Sequence, residues 1–253
     1  MQRRPLVAGN WKMNKTAKDT RRFLITLRNR LTGMSPGADV LVCPPFVSLE
    51  TAVDAARGTS IAIGAQNTSW QADGALTGEV APEMLEDIGV THALIGHSER
   101  RGVFGETDDH VNRKLLHVLS GSLTPVVCVG EVLAEREAGE TEAVVRRQVQ
   151  GALANVAPDH APRIVMAYEP VWAIGTGLTA SPEMANEVHV LIRGAIAAIF
   201  GQSVADGTRI LYGGSVKPDN AGNLLAESDV DGVLVGGASL DPGSFAGIIA
   251  AAG

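Results

Sequence analysis

Three residues in this chain have side chains suited to moving protons and stabilising negative charge. Glu169 directly ends one short apolar run, His97 lies two residues beyond another, and Lys12 lies a few residues beyond the first. A carboxylate can act as a general base, and a neutral imidazole can donate a proton to a substrate oxygen and take it back. A lysine ammonium can stabilise a developing oxyanion. Together these side chains predict acid–base chemistry that passes through an anionic intermediate.

Taken singly, each of the three has an ordinary explanation: a solvated glutamate at a strand end, a hydrogen-bonded histidine and an exposed lysine. The segment after the glutamate favours a site, because Pro170–Leu178 is largely apolar and contains two glycines. Surface loops are seldom so apolar. Such a segment is typical of a lid that folds over a pocket and excludes water.

Glycines are paired or nearly paired at three places after apolar runs: Gly175/Gly177, Gly213/Gly214 followed by Ser215, and Gly236/Gly237. Turn geometry alone can require glycine. Backbone N–H groups in such turns also bind phosphate, which suits a chain with few basic residues. Residues 175–180 match the G-x-G-x-x-A pattern, but they do not directly follow their strand and no acidic residue lies at the required distance. We therefore predict no dinucleotide site.

The elements that must position these residues are short apolar runs alternating with segments of helical period. Near-continuous apolar runs are typical of parallel strands buried on both faces. Thr107 and Ser181 are typical helix N-caps, and Pro182 suits a first helical position. The eight predicted strands are Leu6–Ala8, Val40–Cys43, Ile61–Gly64, Ala93–Ile95, Pro125–Val129, Ile164–Tyr168, Ile210–Tyr212 and Gly232–Val235.

Eightfold alternation of strand and helix in 253 residues predicts an α/β fold. Two forms fit, a closed (β/α)8 barrel and a doubly wound open sheet. Glycines or reactive side chains follow nearly every predicted strand, and a barrel brings all those strand ends to one face, where barrel active sites are built. This placement favours the barrel. No Pro/Ser-rich linker divides the chain, so we predict a single domain over residues 1–253.

Composition argues against several other classes of protein. A net charge of −7 and ten aromatic residues disfavour nucleic-acid binding. The longest apolar runs fall far short of the roughly 20 residues of a membrane-spanning helix. The apolar stretch after Arg3 and Arg4 is too short for a signal-peptide core, so a cytoplasmic protein is expected. Cys43 and Cys128 are too few for a four-cysteine zinc site and are predicted to be buried thiols.

Seven motifs resemble those of the triosephosphate isomerase family, in the same order and along the whole chain. Any one of them is modest support, but seven in register identify the chain as similar to that family. The motifs are Gly9–Asn14, Cys43–Phe46, Gly64–Asn67, Ile95–Arg101, Ala167–Gly177, Tyr212–Val216 and Leu234–Ser239.

The resemblance implies a single-domain TIM barrel that interconverts dihydroxyacetone phosphate and D-glyceraldehyde 3-phosphate through an enediolate, in glycolysis and gluconeogenesis. It implies no metal and no organic cofactor. Glu169 matches the family's base, His97 its neutral electrophile, and Lys12 the cation that stabilises the enediolate and helps bind substrate. Supporting positions are Asn10 and Glu99 beside these side chains, the lid Pro170–Thr179, and the phosphate-binding N–H groups of Gly175, Ser215, Gly236 and Gly237.

The resemblance also implies a homodimer, in which the loop Gln66–Glu79, with Thr77 near its tip, inserts into the neighbouring subunit beside Lys12. A loop of this length in a compact domain calls for a special role. The chain departs from the family pattern at two positions. Leu178 lies where the lid often has lysine, and Leu76 lies where the interface loop often has phenylalanine, which puts lid kinetics and dimer strength in doubt.

Two other functions are alternatives to the isomerase. A Schiff-base aldolase would keep the phosphate site, but the sixth strand ends in Glu169 and carries no lysine. A non-catalytic binding barrel would be indicated by loss of a catalytic residue, and all three candidates are present.

Overall fold

The computed structural model describes residues 3–34, 37–174 and 179–253. Its strands form one closed barrel in which every neighbouring pair is parallel, and β1 pairs with β8 to close the ring. The α/β barrel prediction is therefore confirmed. The strands are β1 Leu6–Asn10, β2 Asp39–Cys43, β3 Ile61–Ala65, β4 His92–Ile95, β5 Thr124–Val129, β6 Val165–Tyr168, β7 Ile210–Tyr212 and β8 Gly232–Val235.

The helices surround the barrel, and those with predicted caps begin where expected. The Thr107 side chain accepts a hydrogen bond from the His110 amide, and the Ser181 side chain accepts one from the Met184 amide. The α-helices are α1 Ala17–Leu31, α2 Leu49–Ala56, α3 Pro82–Asp87, α4 Ser98–Phe104, α5 Asp108–Ser120, α6 Leu133–Glu137, α7 Thr141–Leu153, α8 Pro182–Phe200, α9 Gln202–Gly207, α10 Ala221–Leu225 and α11 Pro242–Ala250.

Four 3-10 helices complete the described elements: Phe46–Ser48, Pro158–Arg163, Val171–Ala173 and Gly237–Leu240. Val171–Ala173 follows the end of β6, and Gly237–Leu240 follows the end of β8. Because the strands are parallel, these two segments lie at the same end of the barrel, together with the residues that follow β1 and β4.

Apolar side chains form two cores because each strand alternates between the barrel interior and the helix layer. The interior cluster is small and includes Leu41, Leu94 and Leu211. The larger cluster lies between strands and helices and includes Trp11, Phe23 and Phe245. Cys43 and Cys128 belong to the interior cluster as free, buried thiols, as predicted. A filled interior leaves the mouth at the strand ends as the place for a site.

Candidate active site

Lys12 lies just beyond β1 in a backbone conformation that is unusual for a side-chain-bearing residue. Its φ is 52°, in the left-handed region, which costs free energy and is common at functional sites. Neighbouring groups hold this conformation in place. The Lys12 amide donates to Asn10 Oδ1 at 3.0 Å, and Gln66 Nε2 donates to the Lys12 carbonyl at 2.9 Å. These two hydrogen bonds fix the backbone from which the Lys12 ammonium extends.

His97 and Glu169 meet at the barrel mouth, although they are far apart in the sequence. His97 follows β4 and caps α4, and Glu169 directly follows β6. His97 Nε2 lies 2.9 Å from Glu169 Oε1, and the side chain of Glu169 is only 2% exposed. The Ser98 amide donates to Glu169 Oε2 at 2.9 Å, and Ser98 Oγ donates to Oε1 at 3.2 Å. The glutamate is thus buried but fully hydrogen-bonded.

The hydrogen bonds of His97 fix which ring nitrogen carries the proton. Nδ1 accepts a hydrogen bond from the Glu99 amide at 3.2 Å, so the neutral ring carries its proton on Nε2 and points it toward Glu169. Burial lowers the pKa of His97, but the carboxylate of Glu169 outweighs burial and leaves this pKa raised. Burial likewise acts to raise the pKa of Glu169, and the paired imidazole and the Ser98 amide leave it lowered.

Lys12 joins the same group of side chains through Glu99. The Lys12 ammonium lies 2.7 Å from Glu99 Oε1, and Glu99 Oε2 lies 3.7 Å from His97 Nδ1. Glu99 is about half exposed, so an exposed ion pair of this kind contributes little stability and can be exchanged for other partners. The Lys12 ammonium can therefore leave Glu99 for an anion that enters the site.

A cavity of about 390 Å3 lies between these side chains and the turns after β7 and β8. Its lining includes Asn10, Lys12, His97 and Glu169 on one side, and Ser215, Gly236 and Gly237 on the other. All the predicted site residues that the structure describes, except Glu99, therefore line one cavity. Gly175, which was predicted to contribute to phosphate binding, and Leu178 of the lid lie outside the described residues.

Two glycines make room for the glutamate. A Cβ on Gly130 would lie 1.7 Å from the Glu169 carbonyl oxygen, and one on Gly213 would lie 2.9 Å from Glu169 Cγ. Both distances are shorter than van der Waals contact. Gly130 and Gly213 therefore allow β5 and β7 to approach the end of β6 closely enough to bury the carboxylate.

The structure also shows functional contacts that the sequence did not reveal. The Trp172 Nε1–H, at the start of the predicted lid, donates to Glu131 Oε1 at 2.9 Å, and the Tyr168 hydroxyl donates to the same oxygen at 3.1 Å. Glu131 is fully buried. Glu131 lies two residues beyond β5 and Ser98 three residues beyond β4, and that position was the only sequence signal for either role.

Two kinds of feature are absent from the described ranges: a metal-binding cluster and a membrane-spanning helix. No group of three or more His, Cys, Asp or Glu side chains in residues 3–34, 37–174 and 179–253 is placed to hold a metal ion. Within the same ranges, no helix is long and apolar enough to cross a membrane.

The fold and the site define a class: a (β/α)8 barrel in which a carboxylate, an imidazole and an ammonium group line one cavity. Comparison with known proteins specifies the class further. The sequence model described as "Triosephosphate isomerase" matches residues 5–252. The chain is 54% identical over 247 residues to the triosephosphate isomerase of Solibacter usitatus strain Ellin6076, covering 98% of this chain and 99% of the relative.

Two further relatives agree. Identity is 52% with the triosephosphate isomerase of Moorella thermoacetica strain ATCC 39073, over 98% of each chain. It is 51% with that of Roseiflexus sp. strain RS-1, over 98% of this chain and 97% of the relative. The chain belongs to the triosephosphate isomerase family.

Proposed function

We propose that this protein interconverts dihydroxyacetone phosphate and D-glyceraldehyde 3-phosphate by proton transfer through an enediolate, in glycolysis and gluconeogenesis. The observation that carries the proposal is the meeting of Lys12, His97 and Glu169 around one cavity rimmed by glycines. We further infer that residues 1–253 form one catalytic domain, because the family match covers almost the whole chain.

Glu169 is the base that removes the proton from carbon. In the ligand-free site its two oxygens are bonded to His97 and Ser98, so the carboxylate must exchange these partners for the substrate before it reacts. Burial then favours removal of the carbon-bound proton, because a desolvated carboxylate is a stronger base than a hydrated one.

His97 moves a proton between the two substrate oxygens. Its Nε2–H points into the cavity, and its Nδ1 is occupied by the Glu99 amide at the N-terminus of α4. When Glu169 turns to the substrate, its carboxylate no longer raises the pKa of His97, and burial and the positive end of the helix both disfavour a charged ring. His97 therefore acts as a neutral acid, donating its Nε2 proton to the carbonyl oxygen and accepting a proton from the neighbouring hydroxyl.

Lys12 stabilises the negative charge that develops on the enediolate oxygens and attracts the substrate phosphate, while Asn10 holds the Lys12 backbone in place. The turns containing Ser215, Gly236 and Gly237 bind the phosphate through backbone N–H groups, with Gly175 as a further member. Glu99 keeps the ammonium in position until substrate enters. Each proton transfer has its donor and acceptor among these side chains, so the proposed reaction requires no metal and no organic cofactor.

We also propose that the protein is a cytoplasmic homodimer. A cavity of about 280 Å3 adjoins the active site and is lined by Lys12, His97 and Glu99 together with apolar side chains. Around it, Met13, Val47, Val103 and Phe104 are exposed, which is costly for a monomer. The loop between β3 and α3 is long and its tip, residues 71–75 and 77–79, is exposed. We infer that the partner's copy of this loop fills the cavity.

A coupled spectrophotometric assay tests the activity: purified protein should convert D-glyceraldehyde 3-phosphate to dihydroxyacetone phosphate, and replacing Glu169 with glutamine should abolish turnover. Absence of turnover by the unaltered protein would overturn the proposal. Light scattering tests the assembly, with a mass of two chains expected. A single-chain mass at assay concentrations would refute the homodimer.

A further inference from the structure

A second cavity lies next to the active site, on the outer side of the loop that joins β1 to α1. Its volume is about 470 Å3, larger than the active-site cavity. Asn14 and Leu240 line both cavities and so form the wall between them. The Asn14 side chain donates to the Trp11 carbonyl at 2.7 Å, which fixes its half of that wall.

The cavity lies in a locally basic part of an acidic protein. Residues 15–31 carry six basic side chains and one acidic side chain, whereas the whole chain has a net charge of −7. Lys15, Arg22 and the single acid, Asp19, line the cavity. The Asp19 carboxylate already accepts hydrogen bonds from Thr16 Oγ at 2.7 Å and from Arg22 Nη2 at 2.9 Å. The side chain of Arg22 is 78% exposed, so this pair contributes little and can rearrange around an anion.

Lys15 supplies a second cation, and the structure holds it in an unusual way. Its φ is 71°, and its ammonium lies 5.4 Å from the ring centroid of Trp11 and 5.0 Å from that of Phe23. It donates to the Leu240 carbonyl at 2.8 Å. It forms no salt bridge with any carboxylate of the described residues. The contacts of this ammonium are thus two rings and a carbonyl, with the Asp19 carboxylate attracting it from beyond salt-bridge distance.

We propose that this cavity binds a small phosphate monoester that carries a compact apolar group. Lys15 and Arg22 would hold the phosphate, since an arginine and a lysine together match its charge and geometry. The apolar group would pack against Phe23, Leu240 and Pro242, which also line the cavity. A volume in this range is typical of small-molecule sites.

Hydrogen bonds connect this second cavity to the turn after β8. Lys15 Nζ holds the Leu240 carbonyl, and Trp11 Nε1 donates to the Ser239 carbonyl at 3.1 Å. Both acceptors belong to the 3-10 helix Gly237–Leu240, which carries part of the phosphate site of the proposed function. A phosphate that draws Lys15 away from Leu240 loosens this helix, so the second site and the active site oppose each other's occupation. This coupling rests on the proposed function, whereas the binding site itself does not.

Phenyl phosphate is the probe for calorimetric titration of the full-length protein, with the active site saturated by phosphoglycolate. One molecule should bind per chain, at least about fivefold more tightly than phenol or inorganic phosphate, because each fragment lacks half of the contacts. Arg22→Gln should weaken binding at least about fivefold by removing a charge-assisted contact. The matched control is Arg21→Gln, an exposed neighbour on α1 that does not line the cavity. Its affinity should stay within about twofold of the unaltered protein.

Absence of saturable binding, or equal weakening by Arg21→Gln and Arg22→Gln, would overturn the site. For the coupling, phenyl phosphate at a concentration that just saturates the unaltered protein should weaken phosphoglycolate binding about fivefold in the unaltered protein and in Arg21→Gln, and clearly less in Arg22→Gln, whose site is then only partly filled. The same weakening in Arg22→Gln would instead mean competition within the active site and would overturn the coupling. Isomerase turnover is measured on the same preparations. Arg22-dependent binding without turnover would refute the proposed function and leave the second site standing.

Discussion

Replacing Glu169 with aspartate tests whether the buried carboxylate is the base. The shorter side chain withdraws the carboxylate by about one carbon–carbon bond, roughly 1.5 Å. It also loses the position from which Glu169 Oε2 accepts the Ser98 amide at 2.9 Å. A misplacement of about 1 Å costs on the order of 100-fold in rate, so kcat should fall by about 100- to 1000-fold, equivalent to about 3–4 kcal/mol. KM should change little, because the phosphate contacts remain.

The coupled isomerase assay measures both constants. The matched control is Glu142→Asp, which makes the same chemical change at an exposed glutamate whose partner is Arg146 at 2.7 Å. Its kcat should match that of the unaltered protein. Equal losses in the two variants would refute the assignment of the base, and so would a Glu169→Asp variant that lost substrate affinity while keeping its kcat.

Three further predictions follow from the described contacts. Lys12→Met should lower kcat/KM by at least about 100-fold, because it removes the cation facing the enediolate; an unchanged value in the coupled assay would contradict this role. Lys114→Met should reduce the free energy of unfolding in urea by about 2 kcal/mol, since it removes one of the two cations that pair with the buried carboxylate of Glu106. The exposed pair partner Arg146→Met should cost under about 0.5 kcal/mol, and similar losses would contradict the role of Lys114. Burial is the main cause that lowers the pKa of His189 to about 4 in the folded protein. As the pH falls from 7 to 5, this imidazole is therefore protonated in the unfolded chain but not in the folded one, and the free energy of unfolding should drop by about 2 kcal/mol. If His189→Gln has the same dependence of stability on pH as the unaltered protein, the prediction is wrong.

The strands could be predicted from the sequence because buried parallel strands are almost continuously apolar. Two of the eight, Ile210–Tyr212 and Gly232–Val235, have the predicted bounds, and the others differ by one or two residues at an end. The first strand shows why: Gly9 and Asn10 pair with β2 but are not apolar. Backbone pairing extends a strand beyond the residues whose side chains give its signal.

The candidate site could be predicted in part because its residues follow strand ends, and the closed barrel brings those ends together. Contacts between side chains distant in sequence could not be predicted. The hydrogen bond from Ser98 to Glu169 joins residues 71 positions apart, and that from Trp172 to Glu131 joins residues 41 positions apart. These bonds depend on the rotamers and strand spacing of the finished barrel, for which a single sequence gives no local signal.

The burial of a charged lysine could not be predicted either, because its partners also depend on the finished fold. A lysine on an amphipathic helix is ordinarily exposed, yet Lys114 is only 1% exposed and bonds Asn67 Oδ1 at 2.7 Å. Lys114 also pairs with Glu106, which in turn pairs with Arg100. Only the packing of α5 against the loop after β3 shows that this lysine has partners that offset the desolvation of its charge.

The most direct test of the central claim is the fate of the carbon-bound hydrogen. Purified protein is incubated with D-glyceraldehyde 3-phosphate in D2O, and the dihydroxyacetone phosphate formed is examined by NMR. Proton transfer through an enediolate, with Glu169 exchanging its proton with solvent, predicts deuterium at the newly protonated carbon. Product that forms at the same rate without any deuterium would contradict the exchange of the abstracted proton between Glu169 and solvent.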